Sequence, residues 1–215
     1  MLTLYYTPGA CSLAAHIVLE ESGEPYEKQV VDMAKGEQRT EPYLKINPQG
    51  RVPALRLDDG QFLSENTAIL PYLGKRFGLW PSEPMAEARA LSLIGFFAAS
   101  VHPAHAHVGR PERYAIDPAA YPTIKEAGLK SFHGYLKQID GMLAGREWFS
   151  DRYSVLDAYG LVFYAWGFRR ELPMQELKSY SAHKDRMLQR PAVRGVAVEE
   201  KLAMARDLPK SAAAS

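Results

Sequence analysis

Cys11 is the only cysteine in the chain, and it follows a Pro-Gly turn in the stretch Tyr5-Tyr6-Thr7-Pro8-Gly9-Ala10-Cys11-Ser12-Leu13-Ala14. A thiol offers two chemistries. As a thiolate it attacks carbon or exchanges with a disulfide, and as a protonated group it donates a hydrogen bond to a neighbouring sulfur. A lone cysteine also serves as a small buried apolar residue, so position has to decide. The residues before it, Leu2 to Tyr6, are apolar, aromatic and β-branched, as in a strand buried on both faces. Those after it, Leu13, Ala14, Ile17 and Val18, recur at helical spacing up to Gly23, which has the chemistry of a helix stop. Cys11 is therefore expected in the first turn of a helix, where unpaired N–H groups and the positive end of the macrodipole favour an anion. On that placement the thiol should ionise more readily than a free cysteine.

The elements that would position this thiol continue in order. Tyr26 to Val31 reads as a second strand, and Asp32 to Glu41, with Lys35 and Gly36, as a loop or irregular helix. Asn47-Pro48-Gln49-Gly50 is turn chemistry, after which Val52 to Leu57 resumes apolar alternation, with Pro53 at the head of the strand where a missing donor is tolerated. Asp58-Asp59-Gly60 predicts a hairpin into Gln61-Phe62-Leu63, and Ser64-Glu65-Asn66-Thr67 opens a helix carrying Ala68, Ile69, Tyr72 and Leu73 on one face. The order β-α-β-α-β-β-α makes residues 1–78 an α/β unit with a mixed four-stranded sheet.

Residues 79–84, Leu-Trp-Pro-Ser-Glu-Pro, form a proline-rich linker, and 85–215 read as all helical. Helices are expected over Met85 to Val101, Tyr121 to Leu143, Met174 to Leu177, Ala182 to Gln189 and Val193 to Met204. Ser154-Val155-Leu156-Asp157 is a capping box, built on Ser154 and Asp157, that leads into a buried helix from Ala158 to Phe168. His102, His105 and His107 are close in sequence, yet helical spacing puts the first two on one face and the third opposite, so no metal site is expected.

With 26 basic residues dispersed among 25 acidic ones, no footprint for nucleic acid or an anionic membrane appears. A single thiol, no leader-like N-terminus and no bilayer-length apolar run point to a cytoplasmic setting. Order is expected throughout except at the Ser-Ala-Ala-Ala-Ser tail.

Four segments in this order resemble the cytosolic glutathione transferases, over nearly the whole chain. The first is similar to the signature of the bacterial beta class, whose members carry cysteine where other classes use tyrosine or serine. Gly50 to Leu55 and Ser64 to Ile69 resemble the two glutathione-binding motifs, and Ser154 to Tyr159 the superfamily's capping box. The resemblance implies a thioredoxin-like N-terminal domain and an all-α C-terminal domain. It also implies a cis peptide before Pro53, so that the backbone of Val52 pairs with the cysteinyl amide of glutathione. Glu65 and Asn66 would hold the γ-glutamyl end, and Lys35 the glycyl carboxylate. His102 would face Cys11 from the helical domain, and Ser12 would be the spare donor to sulfur. Tyr6, Phe97 and Trp166 would wall an apolar pocket for a small hydrophobic electrophile. A homodimer is implied too, although Gly95, Phe96 and Ala99 stand where some relatives offer polar side chains to glutathione across the dimer interface.

The expected activity is conjugation of glutathione, as co-substrate and without a metal, to small hydrophobic electrophiles in detoxification. Two alternatives remain open at this stage: a glutaredoxin-like disulfide reductase working through Cys11, and a non-catalytic ligand-binding module.

Overall fold

The computed structural model describes residues 1–206; the Ser-Ala-Ala-Ala-Ser tail expected to be disordered lies outside the described residues. Strand β1 (Leu2–Tyr6) is buried along its whole length, α1 (Leu13–Ser22) follows, and Gly23 closes the helix at φ 67°. Next come β2 (Tyr26–Val30), α2 (Glu41–Ile46), β3 (Ala54–Arg56), β4 (Phe62–Ser64) and α3 (Asn66–Arg76). Asp32 to Thr40 is loop with one 3-10 turn, in keeping with the loop or irregular helix expected there, and α2 begins at Glu41, with Pro42 in its first turn.

The sheet order is β2-β1-β3-β4, parallel between β1 and β2 and antiparallel elsewhere. This is the mixed four-stranded, thioredoxin-like sheet expected. Period-two alternation sorts the aromatic pair on β1: Leu4 and Tyr6 face the main core with α1, while Tyr5 joins a smaller cluster with Tyr43, Val52 and Ala54 on the opposite face.

The helical domain comprises α4 (Pro84–Phe96), α5 (His102–Gly109), α6 (Tyr121–Met142), α7 (Val155–Arg169), α8 (Lys178–Gln189) and α9 (Pro191–Glu199). A wider π turn over Phe97–Val101 joins α4 to α5. It lies directly before Pro103, whose ring would collide with the carbonyl four residues back in a regular α-helix. Helix α7 is buried from Val155 to Gly167 and packs on α1, so one continuous core joins the two domains.

Two helical expectations are corrected. Met174 to Glu176 is only a 3-10 turn. Helix α9 stops at Glu199 rather than running to Met204, because Lys201 takes a positive φ of 55°.

Candidate active site

A cavity of about 490 Å3 opens between the domains. The sheet side supplies the turn Thr7 to Cys11, the turn from Asn47 to Pro53, and Glu65 with Asn66; the helical side supplies α5, the segment after it and the end of α7.

The cysteine turn is fixed from three directions. Ala10 N–H donates to Thr7 O at 3.0 Å, and the buried Ser12 hydroxyl donates to the same carbonyl at 3.2 Å while accepting Thr7 N–H at 3.2 Å. Trp166 Nε1–H on α7 donates to Gly9 O at 2.9 Å. Gly9 N–H donates to Glu200 Oε2 at 2.7 Å, and the other oxygen of that buried carboxylate accepts His16 Nδ1–H at 2.7 Å. The early stop of α9 is what lets Glu200 turn inward beneath the turn.

Cys11 precedes Ser12, the N-cap of α1, and so lies outside the first helical turn where the sequence placed it. Its thiol donates to Val52 O at 3.3 Å, and its own carbonyl accepts Asn66 Nδ2–H at 2.9 Å. Burial pushes the thiol up to about 12, the Glu65 carboxylate pushes the same way, and Arg110 and Arg51 oppose them more weakly. The expected easy ionisation of Cys11 is therefore corrected: desolvation and Glu65 outweigh the thiolate's backbone hydrogen bond and the two arginines, and the free protein carries a protonated thiol at neutral pH.

Val52 and Pro53 line the cavity beside it, and the peptide between them is cis. Tyr43 Oη–H and Asn47 Nδ2–H both donate to Arg51 O, at 2.7 and 2.8 Å, which pins this turn. Glu65 caps α3 from a sparsely populated backbone conformation, φ 68°, and its carboxylate lines the cavity. Asn66 lines it too, but its amide nitrogen is spent on Cys11, and its buried Oδ1 has no hydrogen-bond partner among the described residues.

His102 and His105 project from one face of α5 into the cavity. His107 turns away, stacks on Tyr114 at 3.8 Å and donates from Nδ1–H to Pro103 O at 2.7 Å. His105 stacks on Trp166 at 4.1 Å, and His102 meets the same indole edge-on at 5.0 Å. Burial, followed by Arg110, Arg51 and Arg113, depresses His102 to about 4; burial, Arg170 and Arg169 depress His105 to about 3. Both imidazoles are neutral at pH 7. Among the described residues no group of three His, Cys, Asp or Glu side chains could hold a metal ion.

Four residues assigned to the site from sequence stand elsewhere. Ser12 is wholly buried in the turn and does not reach the cavity. Lys35 is exposed, with its ammonium 3.2 Å from Asp32. Tyr6 faces the opposite side of β1 from Tyr5, packs on His16 and donates to Glu199 Oε1 at 3.4 Å. Phe97 is fully buried in an aromatic cluster with Phe149, Tyr159 and Phe163. Ser154 and Asp157 form a capping box at the start of α7 and are not part of the cavity lining.

The wall is also less apolar than expected. Arg51, Arg110, Arg113, Arg169 and Arg170 line it together with Trp166 and Tyr159. Sequence reasoning assigned none of these arginines a role. The available signal was that Arg169 and Arg170 follow Trp166 by three and four residues, and so share its face of α7. That helix ends in a Schellman turn, with Leu172 N–H donating to Gly167 O at 3.1 Å and Glu171 at φ 57° in the left-handed position usually held by glycine.

Residues 9–76 match the family model for the glutathione S-transferase N-terminal domain. Over 199 residues the chain is 32% identical to glutathione S-transferase GstA of Escherichia coli O157:H7, covering 89% of this chain and 95% of that protein. It is 32% identical over 192 residues to glutathione S-transferase GST-4.5 of Xanthomonas campestris, covering 87% and 93%. Among solved structures, a glutathione transferase homolog from Sulfitobacter with bound glutathione superposes with a TM-score of 0.87 at 32% identity, over 94% of this chain and 98% of the other. The bacterial beta-class enzyme of Sphingomonas chungbukensis superposes with a TM-score of 0.81 at 31% identity, over 93% and 99%. With the family's domain order, a cysteine at the cavity and relatives matched along almost their full length, this chain belongs to the glutathione S-transferase family and resembles its bacterial beta class.

Proposed function

We propose that the protein binds glutathione in the interdomain cavity and transfers the glutathionyl group, through its sulfur, to small electrophiles. The observation that carries this reading is the convergence of Cys11, Val52, Glu65 and Asn66 on one wall with His102 and Trp166 on the other. In this reading the backbone of Val52 pairs with the cysteinyl amide, as an added strand would. The first N–H groups of α3 meet the γ-glutamyl carboxylate, and Glu65 meets the ammonium. Glutathione gives up its thiol proton to solvent. Its thiolate then forms the new carbon–sulfur bond as the electrophile's leaving group departs with the bonding pair.

The catalytic task is to hold that thiolate. Arg110 and Arg51, which already favour negative charge at Cys11, supply positive potential. The protonated Cys11 thiol and neutral His102 are donors that can turn to the glutathione sulfur. Neutral His102, depressed to about 4, is too weak a base to carry the proton away, so its part is to donate. A disulfide reductase needs Cys11 as an attacking thiolate, and its protonation counts against that alternative. Homodimeric assembly and cytoplasmic detoxification of electrophiles complete the proposal; they rest on kinship with the matched transferases.

Parallel assays on wild type and Cys11→Ala test the assignment, one with a chloronitroarene and one with a glutathione mixed disulfide. Conjugation should survive in Cys11→Ala at about a tenth of the wild-type rate, the worth of one hydrogen bond to a charged sulfur. Conjugation reduced to the uncatalysed rate, in a variant that still binds glutathione, would show that Cys11 acts covalently instead.

A further inference from the structure

This inference rests on the transferase reading and concerns the chemistry of the second substrate. Five guanidiniums line the cavity, and Glu65 is the only carboxylate among the described residues that does so. None of the five has a carboxylate oxygen within ion-pairing distance among the described residues. Elsewhere in the chain the contrast is plain: Arg190 clasps Glu21 with contacts of 2.7 and 2.6 Å, and Arg76 pairs with Asp58 at 2.5 Å.

The unpaired guanidiniums converge on the reacting region. Arg169 Nη1 reaches the cysteine turn, 3.6 Å from the place a Cβ on Gly9 would occupy. Arg170 Nη2 lies 2.9 Å from the corresponding point on Gly109, and its Nε points at His105 Nε2 at 3.4 Å. They also oppose one another: burial first, then Arg170 and Arg110, depress the Arg169 guanidinium, and burial, Arg110 and Arg51 depress that of Arg113. The C-terminal ends of α5 and α7 make a cation inexpensive at each position. That explains a cation at each helix end, but not several turned into one cavity without counter-ions.

Glutathione does not use up this charge. It brings about one net negative charge at neutral pH, and about two once its thiol is ionised. Its γ-glutamyl end is met by Glu65 and α3, and its glycyl carboxylate needs one guanidinium, for which Arg51, adjacent to Val52, stands on the sheet-side wall. Arg110, Arg113, Arg169 and Arg170 remain, on the helical wall that carries His102 and Trp166.

We propose that the electrophile accepted here bears a carboxylate or comparable oxyanion, gripped by Arg110, Arg169 and Arg170 while its apolar part faces Trp166 and Tyr159. Forked guanidinium–oxyanion hydrogen bonds supply both the attraction and the orientation. The small hydrophobic electrophile expected from sequence thus becomes a small anionic one.

Calorimetric binding of two product conjugates, S-(4-carboxy-2-nitrophenyl)glutathione and its neutral carboxamide counterpart, tests this without depending on turnover. Wild type should bind the carboxylate conjugate at least about tenfold more tightly at low salt, with the gap narrowing at high salt. The ratio should fall toward one in Arg169→Gln/Arg170→Gln, and likewise in Arg110→Gln should the double variant fail to fold. Equal affinities in wild type, with glutathione itself still bound, would overturn this proposal and leave the glutathione site intact. Failure of both conjugates and of glutathione to bind would overturn the transferase reading and this proposal with it.

Discussion

Ligand-free protein at neutral pH is expected to react with iodoacetamide roughly fiftyfold more slowly than its own urea-unfolded chain. Burial of Cys11, reinforced by Glu65, moves its ionisation from the ordinary thiol value up to about 12. A shift of that size lowers the thiolate fraction about a thousandfold. The more basic thiolate is intrinsically more reactive, by roughly twentyfold over the same interval, so the two effects combine to about fiftyfold. The pH dependence should show no inflection near that of a free thiol and should still be rising beyond pH 10. The linked stability has a definite sign. The folded state keeps the proton that the unfolded chain loses, so stability falls as the pH climbs from the ordinary thiol range toward about 12, and Cys11→Ala should flatten that fall. Rapid alkylation at pH 7 would mean that the helix end outweighs desolvation after all.

The second large effect lies away from the cavity. Asp157→Ala should cost about 4 kcal/mol and lower the melting temperature by roughly 10 °C, read by calorimetry. The Asp157 carboxylate is fully buried and accepts from Phe149 N–H at 3.1 Å, Ser154 N–H at 2.9 Å, Ser154 Oγ–H at 3.2 Å and His183 Nε2–H at 3.0 Å. Deleting it strands these donors in a core too dry to offer water in exchange. It also uncaps α7, the helix on which α1 packs and from which Trp166, Arg169 and Arg170 reach the cavity. Ser154→Ala, which removes a hydroxyl and spares the carboxylate, should cost only about 1 kcal/mol. A loss below about 1 kcal/mol for Asp157→Ala would show that the buried network is not what holds the start of this helix.

Most of the fold could be read from the chain because local chemistry and tertiary packing agree there. The apolar run Leu2 to Tyr6 becomes the central strand, Gly23 ends α1, and the Ser154–Asp157 pair starts α7. The misreadings share a cause: they concern which way a side chain faces once the domains meet. Tyr6 and Tyr5 are equivalent as sequence, but the pleat sends one to the α1 core and the other to the smaller cluster. Phe97 shares its buried face with Ala90, Ile94 and Val101, and packing with Phe149 and Tyr159 closes it off from the cavity. Cys11 sits one residue before the N-cap, a boundary that periodicity does not fix, and desolvation in the cavity wall together with Glu65 reverses its titration. The arginines look like solvated helix-end charges until α5 and α7 are brought side by side. Glu200 looks like surface until Lys201 turns the chain and sends it under Gly9.

The central claim is that the sulfur which ionises in this cavity at neutral pH belongs to glutathione and that Cys11 stays protonated beside it. Ultraviolet thiolate absorbance, followed against pH with and without glutathione on both wild type and Cys11→Ala, tests this most directly. The account predicts no thiolate step below about pH 10 in the free protein. With glutathione added, a step should appear below the ordinary thiol value, and it should persist in Cys11→Ala at a somewhat higher pH. A neutral-pH thiolate already present in the free wild-type protein and missing from the alanine variant would contradict it.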